Sequence, residues 1–140
     1  MTRQVRDVMT ADPVTVEPLT SVRAVARLMR DKDIGAVLVI EGGRLCGLVS
    51  DRDLVVRAMA EGGDPARTTV AQACSAALVT LAPDDGLDRA VRLMREHSVR
   101  RMPVVDRERH AVGIVSLGDL SIERDPGSAL ADVSAARPNR

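Results

Sequence analysis

The sequence predicts an α/β (α+β) chain made of two tandem β-α-β-β-α repeats about a pseudo-two-fold axis, and three internal matches carry that prediction. Val14-Thr15-Val16-Glu17-Pro18 recurs as Val79-Thr80-Leu81-Ala82-Pro83, and Arg27-Leu28-Met29-Arg30 recurs as Arg92-Leu93-Met94-Arg95, both at an offset of 65. At an offset of 66, Gly47-Leu48-Val49-Ser50-Asp51-Arg52-Asp53-Leu54 aligns with Gly113-Ile114-Val115-Ser116-Leu117-Gly118-Asp119-Leu120. A unit that recurs with matched apolar and polar positions forms the same supersecondary structure twice, with equivalent clefts. Function is therefore expected at the repeated polar residues.

Each element has a local cause. Val14-Thr15-Val16 is β-branched and bounded by Pro13 and Pro18, which suits a short strand. Thr20 is a suitable helix N-cap, and Val22, Val25, Ala26 and Met29 fall at i, i+3, i+4 and i+7. Leu87, Ala90, Val91 and Met94 repeat that stripe behind Asp85, while Arg23, Arg27 and Arg30, or Asp88, Arg92 and Arg95, mark the outer faces. Residues 36–40 and 45–49 read as two buried strands joined by a tight turn at Gly42-Gly43. Residues 102–105 and 112–115 make the second copy across a longer polar loop. A helix starting at Ser50 brings Leu54, Val55 and Ala58 to the core and stops at Gly62-Gly63. The resulting division is repeat 1 over 1–62, a linker over 63–69, repeat 2 over 70–124 and a frayed tail over 125–140, all one bilobed domain.

Composition removes several function classes. The 140 residues carry 20 basic and 20 acidic side chains, so no basic face points to nucleic acid and no polybasic run to a membrane. Neither a spanning segment nor a secretory signal is visible, and the chain is expected to be soluble and cytoplasmic. Phe, Tyr and Trp are absent, which removes any base-stacking platform. Cys46 and Cys74 occupy non-equivalent repeat positions without CxxC spacing, and no metal site is expected. No Ser-His-Asp order, metal-ligand constellation or Gly-x-x-x-x-Gly-Lys loop is present, so no catalysis is expected.

The repeat order, with Gly-apolar-Val-Ser-x-x-Asp at the last strand-to-helix junction of both copies, resembles the CBS domain family over residues 5–123. Asp7-Val8-Met9-Thr10, Asp33-Ile34-Gly35-Ala36 and His97-Ser98-Val99-Arg100-Arg101-Met102-Pro103-Val104 add to the resemblance. Within the family, the Ser-Asp-Arg-Asp-Leu-Val and Arg-Arg-x-Pro-Val segments look like those of the stand-alone hypoxic response protein group of actinobacterial stress proteins. The resemblance implies a Bateman module: two repeats packed through their sheets, with clefts that in many relatives accept AMP, ADP, ATP or S-adenosylmethionine. No cofactor is required. It further implies a homodimer that signals to a protein partner the sequence does not identify.

Carried onto this chain, the resemblance gives Asp53 and Asp119 to the ribose hydroxyls, and Ser50, Ser116 and the adjoining helix amides to phosphate. Arg52 lies inside the first of these motifs. Arg100 and Arg101 would grip phosphate oxygens bidentately where the first copy has Gly35-Ala36. Adenine would rest against Val14, Val37, Val79 and Met102, with the strands of Thr15 and Thr80 reading its edge and Ala36 and Pro103 beside them. Ser-x-x-Asp before an apolar helical run is equally a capping box, and the two roles are compatible. The first copy lacks the arginine pair and has Leu38 in place of Pro103, so the clefts are expected to be unequal, the second being the better nucleotide site. The competing reading is a stress-associated dimeric scaffold with vacant clefts.

Overall fold

The computed structural model describes residues 3–75 and 79–136. In chain order its elements are α1 (Val5–Val8), β1 (Thr10–Ala11), β2 (Thr15–Val16), α2 (Val22–Lys32), β3 (Ala36–Glu41), β4 (Arg44–Ser50) and α3 (Asp51–Asp53), which runs into a π-helical stretch, Leu54–Met59. They continue as α4 (Val70–Ala73), α5 (Leu87–His97), β5 (Arg101–Val105), β6 (Ala111–Ser116), α6 (Leu117–Arg124) and α7 (Ala129–Ala135). The fold is mixed α+β with two three-stranded sheets, ordered β2-β3-β4 and β1-β6-β5.

Residues 13–75 form one compact unit, and residues 3–12 with 79–136 form another. In the first, β2 runs parallel to β3, which pairs antiparallel with β4. Val22, Val25 and Met29 of α2 pack on Val16, Val37, Val39 and Val49. In the second, β5 pairs antiparallel with β6, and Leu87, Ala90 and Met94 of α5 pack on Met102, Val104 and Val115. Ala26 and Val91, assigned to these stripes by spacing, are exposed in both copies, while Leu28 and Leu93 are partly buried against the cores. The helices therefore tilt the same way in both units.

The division in space is not the division in sequence. α1 precedes the first repeat but joins the second unit: Val5 N–H donates to Asp85 O at 2.8 Å and Arg6 N–H to Pro83 O at 3.0 Å. α4 precedes the second repeat and joins the first: Val70 N–H donates to Thr20 O at 2.7 Å and Ala71 N–H to Pro18 O at 3.1 Å. Every partner in one set is 65 residues from its counterpart in the other, so the exchange is reciprocal. Both short helices carry capping boxes, Gln4 with Asp7 and Thr69 with Gln72. Gly113 and Gly47 admit the crossing segments, since a Cβ at Gly113 would lie 2.4 Å from Met9 Sδ and one at Gly47 would lie 2.7 Å from Cys74 Sγ. The 63–69 segment is tied down as well, Val22 N–H donating to Thr68 O at 2.9 Å.

Three local expectations are corrected. The N-cap of α2 is Ser21, whose side chain accepts from Ala24 N–H at 3.1 Å, one residue beyond Thr20. The N-cap of α5 is Gly86, and Asp85 accepts from Ala82 N–H at 2.8 Å and closes the preceding turn. Val55 is 54% exposed, because the wider π turn keeps Leu54 and Ala58 in line and swings Val55 outward. Beyond Arg124, where a frayed tail is expected, α7 forms behind the N-cap Ser128 and buries Ala131; residues 137–140 lie outside the described residues.

Candidate functional site

Both strand-to-helix junctions are complete capping boxes. In the first unit Ser50 N–H donates to Asp53 Oδ2 at 2.8 Å and Asp53 N–H donates to Ser50 Oγ at 3.1 Å. In the second, Ser116 N–H donates to Asp119 Oδ2 at 2.9 Å and Asp119 N–H to Ser116 Oγ at 3.1 Å. Each box also locks onto the segment before the neighbouring strand: Asp51 N–H donates to Gly35 O at 2.9 Å, and Leu117 N–H to Arg100 O at 2.8 Å. Two orphan amides per helix start are thereby satisfied. Ser116→Ala is expected to lower stability by about 1 kcal/mol, read from urea denaturation followed by circular dichroism.

The same register brings the remaining candidate residues to the box. Ala36 pairs with Ser50, and Arg101 pairs with Ser116. Arg100 and Arg101 are exposed and, among the described residues, have no ion-pair partner. In the first unit β2 brings Val14 and Thr15 alongside, with Thr15 opposite Leu38 and Leu38 N–H donating to Val14 O at 3.0 Å. The second unit cannot make that bond, because Pro103 stands at the equivalent place and has no N–H. Its strand therefore shrinks to a single bridge, Leu81 with Val104, leaving the Val79 carbonyl without that ladder donor and Val79 and Thr80 half-buried beside β5.

Two of the proposed wall residues are corrected. Val37 is 1% exposed and Met102 fully buried, each packed in its own unit's core. Strand alternation turns them away from the face that carries Ala36 or Arg101. Pro103 is buried as well, and its contribution is the missing donor, not an exposed surface. Of the proposed aliphatic walls, only Val14 and Val79 remain partly exposed.

One further cluster was not singled out by sequence. Asp106, Glu108 and His110 gather in the β5–β6 loop, their donor atoms within 4.8 Å of one another. Asp106 Oδ1 accepts the amides of His110 and Glu108 at 2.8 and 2.9 Å, and these bonds, the His110 amide first, hold its carboxyl below the usual range. The cluster thus closes the loop, its only sequence signal being the D-x-E-x-H spacing. Burial pushes the Cys46 and Cys74 thiols up, away from the reactive thiolate.

The duplicated box and sheet order agree with a family comparison: the CBS domain profile matches residues 5–59 and again residues 70–123. The chain belongs to the CBS domain family. Its relatives include the CBS domain-containing protein YhcV of Bacillus subtilis, 40% identical over 134 residues, covering 93% of this chain and 94% of that protein. Hypoxic response protein 1 of Mycobacterium tuberculosis is 33% identical over 117 residues, covering 83% and 81%. A crystal structure of Hypoxic Response Protein I with two coordinated zinc ions superposes with a TM-score of 0.77 at 32% identity, covering 86% of this chain and 98% of that one. The crystal structure of CBSX2 in complex with AMP gives a TM-score of 0.75 at 28% identity, covering 86% and 94%.

The two CBS repeats differ at the carboxylate itself. Asp53 Oδ1 lies 3.5 Å from Arg57 Nε, one helical turn on. The equivalent of Arg57 in the second repeat is Glu123, which is drawn away to Arg3 at 2.8 Å. Among the described residues, Asp119 therefore keeps its second oxygen free of a cation. Arg52 is exposed in the first box, whereas Gly118 in the second lies under α7: a Cβ there would sit 2.7 Å from Ser134 Oγ and 3.0 Å from Ser134 Cβ. Gly118 is the contact point for the C-terminal helix.

Proposed function

We propose that this CBS pair is a regulatory sensor that binds an adenosine compound, AMP, ADP, ATP or S-adenosylmethionine, chiefly through its second repeat, and passes the bound state to a partner protein. The observation that carries this reading is the open Asp119 carboxylate fixed within hydrogen-bonding reach of Ser116, with Arg100 and Arg101 unpaired at its edge. The free carboxylate oxygen suits a ribose hydroxyl, and the two guanidiniums suit phosphate oxygens. CBSX2, 28% identical, is a CBS protein that holds AMP, which supports the class of ligand. The chain acts without catalysis and as a homodimer, two-fold closure being the commonest oligomeric arrangement. Ligand shifts the affinity for the partner only by as much as it distinguishes the two states it binds.

Isothermal titration calorimetry against the four ligands is the test, the absence of Trp and Tyr ruling out intrinsic fluorescence. Saturable binding by one ligand is expected. Asp119→Ala removes the stronger event and Asp53→Ala any weaker one; unchanged affinity in both variants would sink the proposal. The first repeat, with its carboxylate engaged by Arg57 and no arginine pair, favours the alternative of a stress-associated scaffold with vacant clefts. Silence from all four ligands, in protein shown to carry none from purification, moves the assignment there.

A further inference from the structure

A cavity of about 520 Å³ opens within the second unit, at the opposite end of β5 from Arg101. Three arginines from separate segments reach it: Arg6 from α1, Arg89 from α5 and Arg107 from the β5–β6 loop. Residue 101 opens β5 and residue 107 lies in the turn beyond Val105, with roughly 13 Å of strand between at strand rise, so the two groups of arginines sit at opposite ends of it.

The acids in the wall are mostly engaged elsewhere. Asp85 accepts from Ala82 N–H at 2.8 Å and pairs with Arg89 at 3.4 Å. Asp106 spends one oxygen on the amides of Glu108 and His110 and the other on the His110 ring at 3.2 Å. That leaves Asp84 against Arg6 and Arg107, neither of which has an ion-pair partner among the described residues. The wall is formally neutral, three arginines against three aspartates, and Arg6 and Arg107 are its guanidiniums outside any ion pair among the described residues.

The internal repeat acts as a control on what the fold itself requires. Sixty-five residues from Arg6, Arg89 and Arg107 stand Ala71, Ala24 and Gly42, in the same helix, helix and hairpin of the other unit. The backbone bonds that hold α1 and α4 in place are the same in both, with alanine or arginine alike. Packing therefore calls for none of the three cations, and all three occur together on one copy. We infer that this cavity is a second binding site, for a small molecule bearing a phosphate or pyrophosphate group, distinct from the Ser116–Asp119 box. The volume falls within the range of small-molecule sites and exceeds what a lone phosphate needs, so the phosphate is one end of a larger ligand. Thr80 in the same wall supplies a hydroxyl to that remainder.

The test is a titration of ¹⁵N-labelled protein with inorganic pyrophosphate, followed by amide chemical shifts. Saturable shifts centred on residues 6, 82–85 and 105–107 are expected, with affinity at least tenfold weaker in Arg6→Ala/Arg107→Ala. The single variant Arg107→Ala, in an exposed loop, is expected to weaken binding as well, and guards against misfolding of the double variant. Shifts centred instead on Arg100, Arg101 and Ser116, or linear unsaturable shifts that are the same in the double variant, would overturn the inference. The probe has no adenosine, so failure of the sensor proposal leaves this outcome readable.

Discussion

Leu81→Ala is expected to cost about 3 kcal/mol, the cavity and transfer penalty of a fully buried leucine. Leu81 is 1% exposed and packs in the core with Leu87, Met94, Met102 and Val104. Among the described residues it is also the one that ties its segment to β5 by backbone hydrogen bonds, donating to Pro103 O at 3.0 Å and accepting from Val105 N–H at 2.9 Å. In the first repeat β2 is held by a two-residue ladder as well as by Val16, so the load is shared. Against a typical domain stability of about 5–15 kcal/mol, such a loss moves a thermal midpoint by many degrees. Leu81→Val, which installs the residue of the first repeat, is expected to lose only about 1 kcal/mol. Circular dichroism melts of the two variants beside Leu117→Ala, a 38% exposed residue expected to stay within about 0.5 kcal/mol, decide the matter. Equal losses for the two Leu81 variants would contradict the packing account.

The repeat is legible because it is a pattern of identities at offsets of 65 and 66, and it locates both Ser-x-x-Asp boxes, both amphipathic helices and both hairpins. What it could not show was which unit α1 and α4 would join. Four residues carry no periodicity, and their partners lie about 80 residues away for α1 but about 50 for α4. Val37 and Met102 were misplaced for a different reason. Residues 36–40 and 102–105 are apolar at every position, so alternation gives no hint of which side chains face the core. The difference between the two carboxylates was not legible, since only the structure shows Arg57 beside Asp53 and Glu123 turned to Arg3. Arg6, Arg89 and Arg107 had no common signal at all, being brought together by the same exchange that hid α1.

The second large effect turns on Gly118, and its sign should depend on the length of the chain. In the full chain Gly118→Arg puts a side chain where Ser134 stands, at 2.7 Å from its Oγ. Neither neighbour can yield easily, because Ala131 on the same helix is 3% exposed and Ser121 Oγ already donates to Gly118 O at 3.0 Å within α6. Overpacking of this kind costs about 1–3 kcal/mol, and release of α7 is the cheapest escape. In a chain ending at Arg124 the clash is gone, and arginine in place of glycine inside a helix gains about 0.5–1 kcal/mol. A double-mutant cycle between Gly118→Arg and the truncation, measured by urea denaturation, should therefore return opposite signs. Limited proteolysis of the full-length variant should cut within residues 125–136 faster than in the parent. If Gly118→Arg stabilises both lengths alike, α7 does not rest on α6, and the first turn of the second box is as open to solvent as Arg52 is in the first. If the signs differ, the C-terminal helix and the residue beside Asp119 are coupled, and any ligand that draws on that carboxylate will feel whether α7 is docked.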